Sequence, residues 1–375
     1  MFKNMETPRL ILDRGRLEKN SRLFMDRAKE LGVKLRPHLK TPKSVEVGKI
    51  AKDGDMTGIT VSTLKEAEYF ADNGFSDILL AAAITPNKFA RVKRIFEASG
   101  QQIILATDSL WVANQAVSYA EKNGCDLAFV IEVDCGEHRS GLPFDSAELI
   151  EIAKVLSAGN RTHFKGIMTH GGHSYLASDR SAVAKVAEAE RYAATSAAKR
   201  LSKVGIDCKI VSVGSSPTCL WAEHLDGVSE VRAGVYLFWD LMQVGLKVCA
   251  MDDIAMSVLA TVIGHNRAAK TIVIDAGALA MSKDIGANRN LPDAQYGYVC
   301  DATTLERIGT LSINAVYQEH GIIQVEDDIM YDRLPVGSMV RILPNHCCLT
   351  ASPYGNYTVI EGDKVIGEWG RFGGW

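Results

Sequence analysis

The sequence predicts a (β/α)8 barrel that is followed by a second, mostly β domain. Over the first 235 residues, eight short runs rich in Val and Ile alternate with longer amphipathic stretches, which is the pattern of strands alternating with helices. After residue 250 the segments become strand-like and are punctuated by turn residues. A doubly wound open sheet is the alternative for the first part, because a strand count alone does not establish closure.

The predicted barrel covers residues 12–250, and the predicted C-terminal β domain covers residues 251–375. The strand-like opening segment within residues 1–11 is assigned with the β domain, although it precedes the first barrel helix and suits either domain. The eight predicted barrel strands lie at 34–39, 57–62, 77–83, 102–107, 126–134, 163–169, 209–214 and 227–232.

Helix start and stop signals separate these strands. Thr63 followed by Glu66 predicts a capping box, and Asp145 with Glu148 predicts the start of a later helix. Glycines mark helix ends, and the Ala-rich stretch 178–204 predicts one long helix. The glycines at predicted helix ends are Gly74, Gly100 and Gly124.

Composition narrows the class of protein. The chain has 375 residues, of which 47% are apolar and 23% are charged, with a net charge of −3. No stripe of Lys and Arg stands out, so we expect no nucleic-acid partner. The opening residues lack the apolar region of a signal peptide, and the apolar runs are too short to span a bilayer. We therefore expect a cytoplasmic protein without a membrane partner.

The chemistry of such a barrel collects at the C-terminal ends of its strands. The stretch LRPHLKTPKS places Lys40 at the end of the first predicted strand, and His170 lies at the end of the sixth. A lysine opposite a phosphate site is placed to form a Schiff base, although the stretch alone also suits a surface lysine. The Gly, Ser and Thr residues after strands seven and eight suggest a phosphate cradle that includes Gly214, Ser216, Thr218 and Gly234.

The residues around Lys40 match a sequence motif of a known enzyme family. RPHLKT resembles the RPHxKT motif of the D-threonine aldolase and D-serine dehydratase family, and GITVSTLKEAEYFADNGFSDILLA, EVDCGEHRSG and PVGSMVRILPNHCCLTA extend the similarity along nearly the whole chain. The family consists of pyridoxal-phosphate enzymes of fold type III, with an alanine-racemase-like N-terminal barrel. The resemblance therefore implies pyridoxal 5′-phosphate as the cofactor and a small D-amino acid as the substrate.

The resemblance also implies roles for individual residues. Lys40 carries the cofactor, His170 faces its pyridine ring, and Arg139 lies near the phenolate oxygen or Lys40. Arg232 matches the position of an arginine that alanine racemases direct toward the pyridine nitrogen. The residues implied around the phosphate are Gly214, Ser216, Thr218, Gly234 and Tyr236. Tyr175 is assigned to the same site, and Tyr175, His173 and Gln318 are the candidates for binding the substrate carboxylate. Where many relatives read KTHK, this chain has Pro42 in place of the histidine.

The segment PNHCCLT contains two candidate metal ligands. On a strand, His346 and Cys348 would point to the same face while Cys347 points away. Imidazole and thiolate suit Zn²⁺ better than Mn²⁺ or Mg²⁺, whereas a core strand with buried cysteines is the alternative reading. The resemblance favours the metal, because the dehydratases of the family have H-x-C here and the aldolases have H-x-D.

The leading hypothesis is a PLP- and Zn²⁺-dependent dehydratase of D-β-hydroxy amino acids such as D-serine or D-threo-3-hydroxyaspartate, giving a 2-keto acid and ammonia. The alternative is an aldolase that cleaves D-threonine or D-3-hydroxyaspartate. An amino-acid racemase is third, and a PLP-carrying protein without enzymatic activity is last. By analogy with fold type III enzymes we expect a homodimer.

Overall fold

The computed structural model describes all residues from Met1 to Trp375 and shows two compact units. The barrel unit consists of Arg22–Lys40, Ala51–Gly234 and Gly374–Trp375. The β unit consists of Met1–Ser21, Thr41–Ile50 and Val235–Gly373. The two units interleave along the chain, whereas the predicted limits of 12–250 and 251–375 treat each domain as nearly continuous.

The strands are, in chain order, β1 Arg9–Asp13, β2 Lys34–Pro37, β3 Thr57–Val61, β4 Ser76–Ala83, β5 Ile103–Thr107, β6 Leu127–Asp134, β7 Leu142–Pro143, β8 Thr162–Met168, β9 Ile210–Val213, β10 Glu230–Ala233, β11 Met256–Asn266, β12 Thr271–Ile274, β13 Tyr298–Asp301, β14 Arg307–Val316, β15 Gly321–Gln324, β16 Met339–Leu343, β17 Asn356–Glu361 and β18 Lys364–Gly370. The α-helices are α1 Arg14–Glu30, α2 Val45–Ala51, α3 Leu64–Asp72, α4 Phe89–Ser99, α5 Leu110–Asn123, α6 Ala147–Ala158, α7 Arg180–Ser202, α8 Ser216–Trp221, α9 Leu241–Gly245, α10 Ala278–Met281, α11 Ile329–Arg333 and α12 Cys347–Ala351.

Eight parallel strands of the barrel unit form one sheet in the order β2-β10-β9-β8-β6-β5-β4-β3. The two ends of this order meet through a parallel bridge between His38 and Thr60, so the strands close into a ring. The predicted fold class is therefore confirmed, and all eight predicted strands are present. The eighth begins later than predicted, at Glu230, because Gly227 adopts a positive φ of 84° that belongs to a turn.

The helices of the barrel unit begin and end where local side chains satisfy the free backbone groups. The Thr63 hydroxyl accepts a hydrogen bond from the Glu66 N–H at 3.1 Å, but the Glu66 carboxylate accepts from the Ser62 N–H at 2.7 Å instead of completing a box with Thr63. The predicted start of α6 at Asp145 is wrong by one residue. Ser146 caps this helix, because its hydroxyl accepts from the Glu148 N–H at 3.2 Å.

Apolar side chains on neighbouring strands form the centre of the barrel unit. Its buried core cluster consists of Leu79, Ile104, Ala106, Ala128, Val130 and Met168. These residues come from β4, β5, β6 and β8, which are neighbours in the sheet. The continuous burial of β5 and β6 is typical of parallel strands that are covered on both faces.

The β unit contains a second sheet in the order β12-β15-β14-β13-β16-β11-β1-β17-β18. An additional pairing of β12 with β11 closes six of these strands into an antiparallel ring. The opening strand β1 pairs with β11 and β17, so it belongs to this sheet rather than to the barrel. None of the helices in the chain has the length and apolar character needed to cross a membrane.

Candidate functional site

Lys40 lies just beyond the end of β2 in the barrel unit, and its side chain is exposed. Two residues earlier, His38 forms the bridge that closes the barrel, and its Nδ1 accepts a long hydrogen bond of 3.4 Å from the Lys40 N–H. Burial holds the pKa of His38 well below its ordinary value, and the positive charges of Lys40 and Arg232 lower it further. Lys40 therefore lies beside a neutral imidazole.

His170 follows β8 and is held by the backbone of the next strand end. Its Nδ1 lies 2.8 Å from the carbonyl oxygen of Gly214. Because a carbonyl only accepts, Nδ1 must carry the proton, and Nε2 of the neutral ring carries none. Burial lowers the pKa of His170 to about 3, and the charges of Lys40 and Arg139 add to this effect against the opposing hydrogen bond to Gly214. His170 is thus a neutral ring in one fixed tautomer.

The two arginines of the predicted site lie in different environments. Arg232, on β10, is buried; its guanidinium donates to the Ser212 hydroxyl at 2.7 Å and to the Thr169 carbonyl oxygen. Arg139 lies in the loop after β6, its side chain is 56% exposed, and its nearest acidic partner is Glu137 at 3.5 Å. Arg232 therefore supports the segment that leads to His170, whereas Arg139 is free to approach a ligand.

The predicted phosphate cradle begins at Gly214. This residue has a φ of 136°, and a Cβ atom there would lie 2.3 Å from the Arg232 carbonyl oxygen, so only glycine fits. Its N–H donates to the Glu190 carboxylate at 2.8 Å and is not left open to an anion. Gly234 makes a similar close approach, because its Cβ would lie 2.7 Å from the His38 carbonyl oxygen.

Ser216 and Thr218 lie in the first turn of α8, and both are buried. Ser215 caps this helix in a reciprocal box with Thr218, whose hydroxyl accepts from the Ser215 N–H at 2.9 Å. The Thr218 hydroxyl donates its own proton to Glu190 at 3.0 Å. Tyr175 lies in the 3₁₀ turn Gly172–Leu176 of the same unit, whereas Tyr236 is buried in the β unit. Their contacts with the phosphate stay a prediction.

The barrel-unit residues fit pyridoxal phosphate. An exposed lysine amine, two neutral imidazoles and a buried arginine gather at the C-terminal ends of β2, β8 and β10, where the charge of Lys40 lowers the pKa of both histidines. In addition, the Nδ1 atom of His173 is buried without a hydrogen-bond partner. An unsatisfied polar atom of this kind is expected where a bound group completes the site.

The predicted metal ligands lie in the β unit, and their predicted strand geometry is wrong. β16 ends at Leu343, and His346 precedes the helix α12 that begins at Cys347. Pro344 lacks the N–H that a continuing ladder needs, so the strand stops before the motif. His346 and Cys348 nevertheless come together, because their side chains are hydrogen-bonded to each other.

Asp284 orients His346. Its Oδ2 lies 2.7 Å from Nδ1 of the imidazole, which leaves Nε2 as the ligand atom. Burial alone would lower the pKa of His346, but the hydrogen bonds with Asp284 and Cys348 raise it to about 11. No group of three or more His, Cys, Asp or Glu side chains is arranged to hold a metal ion. The donors therefore fit a site with two protein ligands whose remaining positions are open to water or substrate.

Two further residues hold Cys347 and Cys348 in place. The Thr41 hydroxyl lies 3.0 Å from Sγ of Cys348, and Oδ2 of the buried Asp240 accepts from the Cys347 N–H at 3.0 Å. Burial raises the pKa of Asp240 to about 6. No sequence motif marked Asp240, Asp284 or Glu190 as part of a site. Thr41 lay within the RPHLKT motif, but its contact with a cysteine 307 residues later had no sequence signal.

A closed barrel with a lysine at a strand end, followed by an antiparallel β unit, is the architecture of an alanine-racemase-like PLP enzyme. The family model "Alanine racemase, N-terminal domain" matches residues 12–241, and "Putative serine dehydratase domain" matches residues 255–360. The chain therefore belongs to the family of D-serine dehydratases and D-threonine aldolases, and it is a PLP-dependent lyase. The predicted family and the predicted enzyme class are both confirmed.

Three relatives illustrate this membership. D-threo-3-hydroxyaspartate dehydratase from Delftia sp. (strain HT23) is 39% identical and covers 99% of this chain and 98% of its own length. D-serine dehydratase from Dictyostelium discoideum is 32% identical over 97% of this chain and 95% of its own. 3-hydroxy-D-aspartate aldolase from Paracoccus denitrificans (strain Pd 1222) is 29% identical over 97% of this chain and 91% of its own.

The Delftia dehydratase also has solved structures. One aligns with a TM-score of 0.96 and 39% identity, covering 100% of this chain and 99% of the solved one. A mutant D-threo-3-hydroxyaspartate dehydratase, described as being in the metal-free form, aligns with a TM-score of 0.96 and 38% identity over 100% of this chain and 99% of its own. A metal is therefore associated with that relative.

Proposed function

We propose that this chain is a PLP- and Zn²⁺-dependent dehydratase of D-β-hydroxy amino acids, with D-threo-3-hydroxyaspartate or D-serine as its substrate and a 2-keto acid and ammonia as its products. The observation that carries the proposal is the paired side chains of His346 and Cys348, with His346 oriented by Asp284. The H-x-C arrangement is the one that the resemblance associates with dehydratases. Two relatives named as dehydratases of these substrates support the choice.

The barrel-unit residues would perform the Cα chemistry. When bound, pyridoxal phosphate withdraws electrons from the Cα atom of an amino acid and weakens the bonds to it. Lys40 would hold the cofactor and, once released by the substrate, its Nζ would take the Cα proton. His170 would stay neutral, because burial and the charges of Lys40 and Arg139 lower the pKa of the ring to about 3. Its Nδ1–H is donated to the Gly214 carbonyl oxygen. Arg139 is exposed and would contribute a positive charge beside the ligand.

The β-unit residues would assist the departure of the β-hydroxyl. His346 and Cys348 would hold a divalent metal, and a metal ion supplies Lewis-acid stabilisation to an oxygen leaving group. A set of imidazole and thiolate donors favours Zn²⁺ over Mn²⁺ or Mg²⁺, which prefer oxygen ligands. Asp284 would hold the Nδ1 proton of His346 and so direct Nε2 toward the ion, which would replace the proton on that nitrogen.

A product analysis tests the reaction. Purified protein with added pyridoxal phosphate and Zn²⁺ is offered D-serine, D-threonine and both D-3-hydroxyaspartates, and all products are quantified together. We expect keto acid and ammonia, lost in Lys40→Ala and Cys348→Ala and lost reversibly on chelation. Glycine with an aldehyde would instead identify an aldolase, as in the Paracoccus relative. Inverted amino acid without sensitivity to chelators would identify a racemase.

We also propose that the chain forms a homodimer, as the family resemblance implies. The β unit exposes a cluster of large apolar side chains on neighbouring segments: the Leu279 N–H donates to the Gln318 carbonyl, and α10 packs against α12. Leu279, Tyr317 and Leu349 are 56%, 65% and 47% exposed. A second copy of the chain would cover this surface. Analytical ultracentrifugation should give twice the chain mass, and Leu279→Glu with Tyr317→Glu should give monomers.

A further inference from the structure

Glu190 is a buried carboxylate in the middle of the long helix α7. Its side chain is only 1% exposed, and the residues one turn away on the same helix face offer no polar side chain. These residues are Val186, Ala187, Ala193 and Ala194. A carboxylate buried in this way is costly unless several donors satisfy it. Two of its donors follow barrel strands, and the third lies in the first turn of α8.

Three hydrogen bonds end on Glu190. The Thr169 hydroxyl donates to Oε1 at 3.1 Å, the Gly214 N–H donates to Oε1 at 2.8 Å, and the Thr218 hydroxyl donates to Oε2 at 3.0 Å. Thr169 follows β8, Gly214 follows β9, and Thr218 lies in the first turn of α8. One side chain therefore fastens three separate segments around the predicted cofactor site.

A short chain of hydrogen bonds connects Glu190 to His170. The peptide N–H of Gly214 donates to Glu190, and the carbonyl oxygen of the same Gly214 accepts the Nδ1 proton of His170 at 2.8 Å. Thr169 immediately precedes His170, so Glu190 holds that segment directly as well. A Cβ atom at Gly171 would lie 2.9 Å from Oε2 of Glu190, so the loop after His170 also packs on the carboxylate.

We propose that Glu190 is a positioning residue of the cofactor site, which fixes the orientation and tautomer of His170 and the turn from Gly214 to Thr218. The proposal rests on the proposed PLP-dependent function. It assigns the Thr218 hydroxyl proton to Glu190 rather than to the phosphate. Glu190 itself touches no ligand in this assignment and acts through Thr169, Gly214 and Thr218.

The test compares Glu190→Gln with Glu188→Gln. Glu188 lies on the same helix, but its carboxylate is exposed and pairs with Arg191 on the surface at 2.6 Å. In E190Q an NH₂ group replaces one acceptor oxygen, so at least one of the three donors loses its partner while the size is kept. Dissociation constants for pyridoxal phosphate are measured by titrating apoprotein. We expect about tenfold weaker binding for E190Q and a change within about twofold for E188Q.

A second readout does not depend on the cofactor or on activity. Nitrogen NMR of isotope-labelled apoprotein reports which imidazole nitrogen of His170 carries the proton, with the signal assigned from His170→Asn. We expect the Nδ1–H form in the wild type and in E188Q, and a shift toward the Nε2–H form in E190Q. A purely structural role of Glu190 would lower the melting temperature without changing this tautomer.

Thr169→Val keeps the proposal testable if E190Q does not fold. This variant removes one donor and preserves the shape of the side chain, so we expect pyridoxal phosphate to bind about threefold more weakly. Wild-type affinity together with an unchanged His170 tautomer in E190Q, or in T169V if E190Q is insoluble, would overturn the proposal. The tautomer measurement uses apoprotein, so it tests the role of Glu190 without the cofactor. Failure of the wild type to bind pyridoxal phosphate would therefore contradict the proposed function and not the role of Glu190.

Discussion

The hydroxyl of Thr41 lies 3.0 Å from Sγ of Cys348 in the β unit. Thr41 directly follows Lys40 in the sequence. The residue that contacts a predicted metal ligand is therefore the chain neighbour of the lysine that is predicted to hold the cofactor. A thiolate that binds a metal has no proton to give, so Thr41 must then be the donor. The same short segment is held further by the Tyr357 hydroxyl, which donates to the Pro42 carbonyl oxygen at 2.7 Å.

Thr41→Val should weaken metal binding. The substitution removes the hydroxyl that orients the Cys348 thiolate and keeps the volume of the side chain. Loss of such a partner behind a metal ligand lowers affinity by about tenfold or more. Competition with a chromophoric zinc chelator measures the change.

Two variants separate this effect from loosening of the segment. Thr41→Ser keeps the donor and should retain wild-type affinity for zinc. Tyr357→Phe removes the neighbouring hydrogen bond to Pro42 without touching Cys348, and it should change the affinity by less than about twofold. Equal losses in T41V and Y357F would show that the position of the segment matters rather than the contact with sulfur.

Asp284→Asn should weaken zinc binding more strongly than Thr41→Val. Asp284 accepts from Nδ1 of His346 at 2.7 Å and from the Gly286 N–H at 2.7 Å. An amide supplies only one acceptor, so either Gly286 loses its partner or His346 must place its proton on Nε2, the predicted ligand atom. We expect a loss of between about 10-fold and 100-fold in affinity, measured by the same competition assay. Asp363→Asn, at an exposed turn, is the matched control and should bind zinc as the wild type does.

The sequence predicted best those features that depend on residues close together in the chain. The strands β4, β5 and β6 carry long apolar runs. Gly100 and Gly124 end helices as predicted, and each has a positive φ value. The motif His346-x-Cys348 shows the limit of this reasoning. Its residues meet, but at the start of a helix rather than on a strand, because Pro344 ends β16.

The residues that support the site could not be found from local pattern. Glu190 lies in a helix whose alanines suit burial on almost any face, so the sequence does not reveal which side meets the strand ends. Asp284 and Thr41 reach their partners 62 and 307 residues away. Such contacts depend on the tertiary fold, whereas periodicity and capping signals report only on neighbours along the chain.

Glu230→Gln should destabilise the barrel unit. Glu230 and Arg36 form an ion pair of 2.8 Å in which both side chains are only 5% exposed, and the Ser212 hydroxyl donates to the same carboxylate oxygen at 2.7 Å. Removing this charge leaves Arg36 paired only with Asp77 nearer the surface, so the cost should approach the value of about 3 kcal/mol for breaking a buried pair. Asp77→Asn is the control, because Asp77 also pairs with Arg36 but its side chain is 47% exposed. We expect it to cost about 1 kcal/mol or less in chemical denaturation. Equal costs for the two variants would contradict the assignment of Glu230 as the main partner of Arg36.

The neutral state of His170 predicts a loss of stability in acid. Burial and nearby positive charges lower its pKa to about 3 in the folded chain, whereas an unfolded histidine has a pKa of about 6.5. Between these two values the unfolded chain binds more protons, so the free energy of unfolding falls as the pH falls from about 6.5 toward 3. At about pH 5 the difference of roughly 1.5 units corresponds to about 2 kcal/mol.

His170→Asn isolates this contribution, because its amide nitrogen can still donate to the Gly214 carbonyl oxygen while the side chain no longer titrates. The free energy of unfolding is measured by denaturant titration of both apoproteins at about pH 7.5 and about pH 5, which removes any stabilisation by bound cofactor. The decrease between the two pH values should be about 2 kcal/mol smaller in the variant. His38 is present in both proteins, so its own low pKa affects both measurements equally. An identical decrease in the two proteins would show that His170 can be protonated in the folded chain, which burial and the surrounding positive charges should prevent.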